Sequence, residues 1–332
     1  MQDFDRFLDE CERAPRLNEL YGFFSTTAAG HKGMPMRRPN LDKRLLPGNH
    51  TFREFAALHD LRQGPFDQHY LSSIPYRYEE ECRIGCAILK YARSKRNGLA
   101  LYSLGTAEGT MARTICELGQ GKIRSLSCSP NIENQRSFYA YGVPPHASFF
   151  HGPFHHLTRE LIQNSEDLRK FADGFDIIFE DTTFQMYSHN RNDQIRFVSQ
   201  HLKADGLFVF VEKFKAGDDG EYRRRELQKD HGFKTRFFSE ADIRAKAQEV
   251  LTPMNRGEVT LREMTKSMRR YFKHCLVTWN SGNFYTLIAS NSATNLDRFL
   301  TKLCPPAIPG EYVYENLPYR LYPETSDETT NE

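Results

Sequence analysis

Four short apolar runs constrain this chain more than any other feature: LALYSL (99–104), IRSLSC (123–128), FDIIFE (175–180) and LFVFVE (207–212). Each is too short and too continuously apolar to be the face of a surface helix, so each reads as a strand buried on both sides. Between them lie helical stretches near 131–141, 157–171 and 190–202, and before them EEECRIGCAILKYARSK (79–95) places Ile84, Ile88 and Leu89 on one stripe. Strands alternating with helices call for βαβ units, because a parallel neighbour is reached only by a long crossover. The expected class is therefore α/β, a mostly parallel sheet covered on both faces. CLVTWNS and NFYTLIASN then read as two strands joined at a tight turn holding Gly282, so the sheet ends in an antiparallel hairpin.

The flanks are less regular. Residues 2–13 form a short helix with Phe4, Phe7 and Leu8 on one side. Residues 25–50 scatter Gly30, Gly33, Pro35, Pro39, Pro47 and Gly48 among Lys32, Arg37, Arg38, Lys43 and Arg44. That is a basic, irregular arm, either a solvated linker on the core or a segment that binds a partner or covers a site. Residues 217–272 are charged and mostly helical, and the final PETSDETTNE is acidic and expected to be disordered. The domain reading is an N-terminal helix and arm over 1–51, a main domain over 52–291 with an insert at about 217–272, and an extension over 292–332.

A charged fraction of 27% and an apolar fraction of 39% describe an ordinary globular chain. A net charge of +2 gives no general attraction to nucleic acid, so that partner is left unsupported rather than ruled out. No apolar run reaches the roughly 18 residues of a membrane span, and the N-terminus shows no signal-type core, so no membrane partner is expected. Seven cysteines, odd in number and without a CxxC pair, suggest reduced thiols and a cytoplasmic location. Cys82 and Cys86, four apart, are expected to be buried thiols on one helix face.

The first apolar run leads into Gly-Thr-Ala-Glu-Gly. Gly105 allows the chain to turn sharply off the strand, and Gly109 keeps the backbone open at the next helix. Ala107 stands where a dinucleotide loop has its middle glycine, and no Lys-Ser or Lys-Thr follows, so a P-loop is not expected. Ligands bind at the carboxyl ends of parallel strands, which is where this loop lies.

Taken in order, LYSLGTAEG, SLSCSPN, FDIIFEDTTFQMY and LKADGLFVFVEKF resemble the class I S-adenosylmethionine (SAM)-dependent methyltransferases. LFVFVEKF, the charged insert, the closing W-x-x-x-N-F-x-x-L-I-A and FDQHYLSSIPYRYE (66–79) are similar to the carboxy-SAM synthase family, which supplies a carboxymethyl donor for wobble-uridine modification in tRNA. The resemblance covers roughly 52–291. It implies a Rossmann-like class I methyltransferase fold: a seven-stranded, mostly parallel sheet with a C-terminal antiparallel hairpin and a helical insert. It also implies SAM (or S-adenosylhomocysteine or another SAM derivative) as cofactor, a small-molecule substrate and a homodimer.

Position by position, Gly105, Thr106, Ala107 and Gly109 would face the methionine half of SAM, with Ser103 before them as a further cofactor-binding position. Ser127 and Ser129 fall on the family's DxSP, whose aspartate grips the ribose, and Gly152-Pro153 falls on its Gly-Asp at the adenine. Asp181 and Thr182 would line the sulfonium end, and Tyr76, Arg77 or Tyr78 would reach the methionyl carboxylate. Ser103, Ser127 and Pro153 thus replace three acids. A serine accepts hydroxyls more weakly than a carboxylate, a loss of about 1–3 kcal/mol, unless Glu180 or Glu133 compensates. In the insert, where that family uses an arginine for the extra carboxylate, SEADIRAKAQEVLT (239–252) offers Asp242 or Ile243, with Arg244 one residue away.

Methyl transfer asks the protein to position an acceptor and, where needed, take its proton. Asp181, Glu180, Glu212, Tyr187 and His189 lie near strand ends, and HGPFHHL adds His151, His155 and His156. Asp181, Glu212, Tyr187 and His155 are the catalytic candidates. Glu212-Lys213 reads either as a structural ion pair or as a substrate contact. No metal is expected, since ligation needs converging partners. RYEEE and DDGEYRRRELQKD read as solvated helix faces, with RRRELQK able to touch a phosphate, and Trp279 belongs to the core or a dimer interface. The preferred function is a SAM-dependent methyltransferase, or related SAM-using transferase, acting on a small molecule. The alternatives are a carboxy-SAM synthase-like enzyme and a non-catalytic ligand-binding or scaffold protein.

Overall fold

The computed structural model describes residues 4–323. Of the acidic tail expected to be disordered, residues 324–332 lie outside the described residues.

The strands are β1 (Leu99–Leu104), β2 (Ile123–Ser129), β3 (Ala147–His151), β4 (Phe175–Asp181), β5 (Leu202–Lys215), β6 (Val259–Thr260), β7 (His274–Ser281), β8 (Phe284–Ser290) and β9 (Tyr319–Arg320). They form one sheet in the order β3-β2-β1-β4-β5-β8-β7-β9, with β6 paired to β5. The pairings from β3 through β5 are parallel, and β8 and β7 close the sheet as an antiparallel hairpin. This is an α/β, Rossmann-like fold, its seven-stranded core, mostly parallel with a C-terminal antiparallel hairpin, extended by the short β6 and β9.

All four apolar runs are strands. β1 and β4 are buried at every position, as two-sided coverage by helices requires. β3 was absent from those runs because it is an edge strand whose residues are half-buried or exposed, so its sequence, ASFFH, never becomes continuously apolar. Helix Arg77–Ser94 packs between the sheet and helices His50–Arg62 and Ala293–Leu300, and nearly all of it is buried.

That burial corrects one expectation. RYEEE is not a solvated face: Arg77, Glu79, Glu80 and Glu81 are all buried. Each acid is instead satisfied internally, Glu80 by Arg83 at 2.6 Å, Glu81 by His59 at 2.9 Å and Glu79 by the Asp42 amide at 2.7 Å. Buried charge survives only with such partners. The second charge run behaves as expected at first, since helix Asp219–Leu227 has no buried residue. Trp279 is fully buried core. All seven cysteines are free thiols, with Cys82 and Cys86 fully buried. Among the described residues no helix is long and apolar enough to cross a membrane.

β1 has β2 on one side and β4 on the other, so the crossovers change direction there and leave a crevice at the carboxyl ends. The insert between β5 and β7, helix Pro65–Leu71 and the N-terminal segment all close over that crevice.

Candidate functional site

The loop after β1 is shaped by steric necessity. Gly105 has φ +71°, and a Cβ there would collide with Thr183 Oγ1 and lie 2.7 Å from Thr183 Cβ. Gly109 has φ +63°, and a Cβ there would overlap the Ser127 hydroxyl. Ala107, between them, also holds a left-handed φ of +44°. Only glycine takes such contacts without displacing a neighbour.

This loop forms the floor of one pocket. Gly105, Thr106 and Ala107 face it from β1, Ser129 and Asn134 from the end of β2, and Asp181, Thr182 and Tyr187 from the end of β4. The roof comes from Phe66, Asp67, His69 and Tyr70 of helix Pro65–Leu71, and from Arg16, Phe23 and Phe24 near the N-terminus. Lys213 reaches it from the end of β5, and Lys229, Lys234 and Lys246 reach it from the insert. Of the expected site residues, Gly105, Thr106, Ala107, Ser129, Asp181, Thr182 and Tyr187 therefore converge.

The others do not line the pocket, each for a stated reason. Ser103 is fully buried and spends its hydroxyl on Thr106 Oγ1 at 2.8 Å. Ser127 is fully buried beneath Gly109, and its hydroxyl has no partner. Gly109 itself lies behind the loop as the cap of helix Thr110–Leu118. Tyr76 packs against Phe233 and Tyr312 instead. Arg77 is fully buried and engaged by Asp181 at 2.6 Å and Glu81 at 3.4 Å, so it stands behind the wall.

The acid and base candidates are corrected in the same way. Asp181 reaches the pocket, but one oxygen accepts from Tyr70 Oη at 2.5 Å and the other from Arg77 Nη2. Both of its oxygens are thus already engaged by the protein. Glu212 is fully buried, bonded to Arg191 at 3.0 Å and outside the pocket. It does not pair with Lys213, because adjacent strand residues face opposite sides of the sheet; Lys213 pairs with Glu226 and Glu258. Glu180 lies under the floor accepting from the Thr183 and Phe184 amides, and burial and Glu212 push its carboxyl well above the ordinary range. It does not reach the pocket. His189 is exposed.

His155 turns away from the pocket, its Nε2 3.0 Å from Glu12 Oε1. His156 contacts the same oxygen, so Glu12, His155 and His156 bring three ligand-type atoms within 4.8 Å. The converging partner missing from HGPFHHL thus comes from the first helix. Burial holds His155 down at about 4, in its neutral form.

Several wall groups carried no local sequence signal. Arg16 is buried, stacks 4.0 Å over Phe24 and donates to Asn131 Oδ1 at 2.5 Å, while its Nη1 has no partner. Asn134 donates to Ser129 Oγ at 2.8 Å, which leaves its Oδ1 buried and unpartnered at the pocket. Asp67 has an unpartnered Oδ2, and burial and Glu108 raise its carboxyl well above the ordinary range. The cover over the pocket is the stretch holding Arg16, Phe23 and Phe24 rather than the basic arm at 25–50. The arm beyond it lies along the helical layer, with Met36 N donating to Phe237 O at 2.8 Å.

No family model matches the chain, and none of the curated proteins compared with it is similar to it. Solved structures with a related shape include an O-methyltransferase from Nostoc punctiforme at 10% identity and TM-score 0.40, over 64% of this chain and 58% of that one. The plantazolicin methyltransferase BpumL in complex with SAH matches at 11% identity and TM-score 0.44, over 74% of this chain and 100% of its own. A probable spermidine synthase from Corynebacterium glutamicum matches at 16% identity and TM-score 0.41, over 71% and 73%. The chain thus spans less than two thirds of the Nostoc protein. What each of these proteins binds is a property of that protein.

Proposed function

We propose that this protein is a SAM-dependent methyltransferase acting on a small molecule. The observation that carries the reading is the left-handed Gly105–Ala107–Gly109 turn at the switch point of the sheet, opening into the pocket. The pocket's residues suit a nucleoside with a sulfonium. A Cβ at Gly105 would fill the floor, and the orphaned Asn134 Oδ1 beside Ser129 is an acceptor suited to a ribose hydroxyl. Phe66, Phe154 and Met186 offer apolar walls to a flat ring.

SAM, when bound, supplies an electrophilic methyl group. The chain's own task is to orient the acceptor, exclude water and take a proton. Tyr70, fixed by Asp181 and by Thr182 Oγ1 at 3.1 Å, closes the roof. Asp67, whose Oδ2 has no partner at the pocket wall, is the carboxyl placed to take that proton. In this reading residues 52–291 carry the chemistry, the N-terminal segment covers it, and the chain works as a cytoplasmic homodimer.

Calorimetry with SAM and S-adenosylhomocysteine tests the proposal. Absence of heat from both at concentrations on the order of 1 mM would exclude even millimolar binding and sink it. The carboxy-SAM reading is disfavoured by Arg244, which is exposed and paired with Glu240 at 3.2 Å. Mass spectrometry of the co-purified ligand checks that point. The non-catalytic reading draws on Ser127, which withdraws the usual ribose acceptor; heat without methyl transfer to any acceptor would favour it.

A further inference from the structure

The insert's end of the pocket holds more positive charge than the surrounding acids neutralise. Lys213 pairs with Glu226 at 3.1 Å and Glu258 at 2.8 Å, Lys229 shares Glu226 at 2.6 Å, and Lys234 pairs with Asp230 at 2.7 Å. Lys246 has no carboxylate within ion-pair distance among the described residues. Its Nζ donates to His69 Nε2 at 2.5 Å and to Ser73 Oγ at 2.8 Å. His69 has its other nitrogen 2.5 Å from the Gly33 carbonyl, which fixes the proton on Nδ1 and leaves Nε2 as acceptor. Four lysines thus meet three carboxylates, and the lysine left over has only neutral partners.

The placement is not a surface accident. Lys229 belongs to RRRELQK, yet it turns inward where the helix widens over Gln228–Phe233. Lys229, Lys234 and Lys213 are all at least nine-tenths buried. Burial and Lys229 lower Lys234 to about 8, and burial with Lys234 and Lys229 holds Lys246 well below the ordinary lysine range. Like charges crowded into a partly apolar wall are costly unless an anion joins them.

We infer that this end of the pocket binds an oxyanion, the phosphate or carboxylate group of the substrate, with Lys246 as its direct partner and Lys234 beside it. The inference names the substrate class for the proposed methyltransferase and rests on that reading only for the ligand's role as acceptor.

The test is calorimetry of the full chain with pyrophosphate and, separately, malonate, without SAM. A saturable heat with at least one is expected, and the tighter of the two identifies phosphate or carboxylate. Lys246→Met is expected to weaken that binding at least about tenfold, the loss of one charge-assisted contact. Titrations of the wild type at pH 8 in buffers of different ionisation heat are expected to show net proton uptake, because the anion restores the proton that burial disfavours. No saturable heat from either probe at concentrations on the order of 10 mM overturns the inference, as does unchanged affinity in Lys246→Met. Should that variant not fold, absence of proton uptake in the wild type overturns it. Heat from an oxyanion without heat from SAM leaves this inference standing and removes the donor reading; heat from SAM alone does the reverse.

Discussion

Arg77 separates two accounts of the site, because the resemblance makes it a ligand for the cofactor's carboxylate and the structure makes it a buried counter-ion. Its guanidinium is fully buried, 2.6 Å from Asp181 and 3.4 Å from Glu81. Arg77→Met removes the cation with little change in length and leaves Asp181 with only the Tyr70 hydroxyl. Breaking a buried pair from one side costs about 3–5 kcal/mol, a large part of the roughly 5–15 kcal/mol that stabilises a domain. The assay is urea unfolding at pH 7 and pH 5. Without Arg77 the Asp181 carboxyl, already raised by burial, rises further above its unfolded value. The folded variant then binds the proton more tightly than the unfolded chain, so its deficit is full above the folded pKa and shrinks as pH falls through it. Arg77→Met/Asp181→Asn should recover part of the loss, since the orphaned charge is gone. A variant of full stability with a cofactor affinity cut tenfold or more would refute this reasoning and return Arg77 to the role the resemblance assigned.

Gly105→Ala places a Cβ against Thr183 at left-handed φ; about 1 kcal/mol for the backbone and about 1–3 kcal/mol for overpacking should appear in unfolding curves, together with loss of SAM heat. Asn134→Leu keeps the helix but removes the free acceptor; calorimetry should show nucleoside-ligand affinity weakened about tenfold, near 1.4 kcal/mol, with little change in the melting midpoint. Burial lowers His155 and His201 to about 4 each. Their folded pKa values lie below the unfolded value near 6.5, so the unfolded chain binds protons first and stability falls as pH drops from about 6.5 towards 4, by up to about 3 kcal/mol per histidine. His201→Phe should flatten that slope in denaturation measured across this range.

The sheet was readable because burial on both faces writes itself as continuous apolar sequence, and the two-glycine turn because left-handed backbone demands it. The site was readable only where it lies on the sheet. Ser129, Asp181 and Tyr187 sit at or just beyond strand ends, and their places follow from topology. Arg16 does not: its partner Asn131 is 115 residues away, and nothing around PRL marks a buried cation. RYEEE misled because local charge density does not say whether Arg83, His59 and a backbone amide will arrive to satisfy it. Lys229 misled likewise, since an inward turn of the helix moves it off the solvated face of its own run.

Ser103, Ser127 and the N-terminal cover belong to one arrangement. Ser103 and Ser127 are register partners on β1 and β2, so their side chains share a face under the loop. Ser103 closes that loop through Thr106, and Ser127 stops short behind Gly109. Ser129, one pleat further along the same strand, reaches the pocket and accepts from the amide of Asn134, whose Oδ1 is left as the unpartnered acceptor. At the same mouth Arg16 brings a guanidinium nitrogen with no partner. A carboxylate there would be drawn to that nitrogen, and an ion pair would consume the lone pairs a ligand hydroxyl needs. A neutral amide acceptor beside a cation keeps its lone pair available. Serine at 127 and arginine at 16 are thus mutually consistent, and under the proposed function the acceptor for a nucleoside would move from a charge on β2 to an amide on the helix Ile132–Ala140.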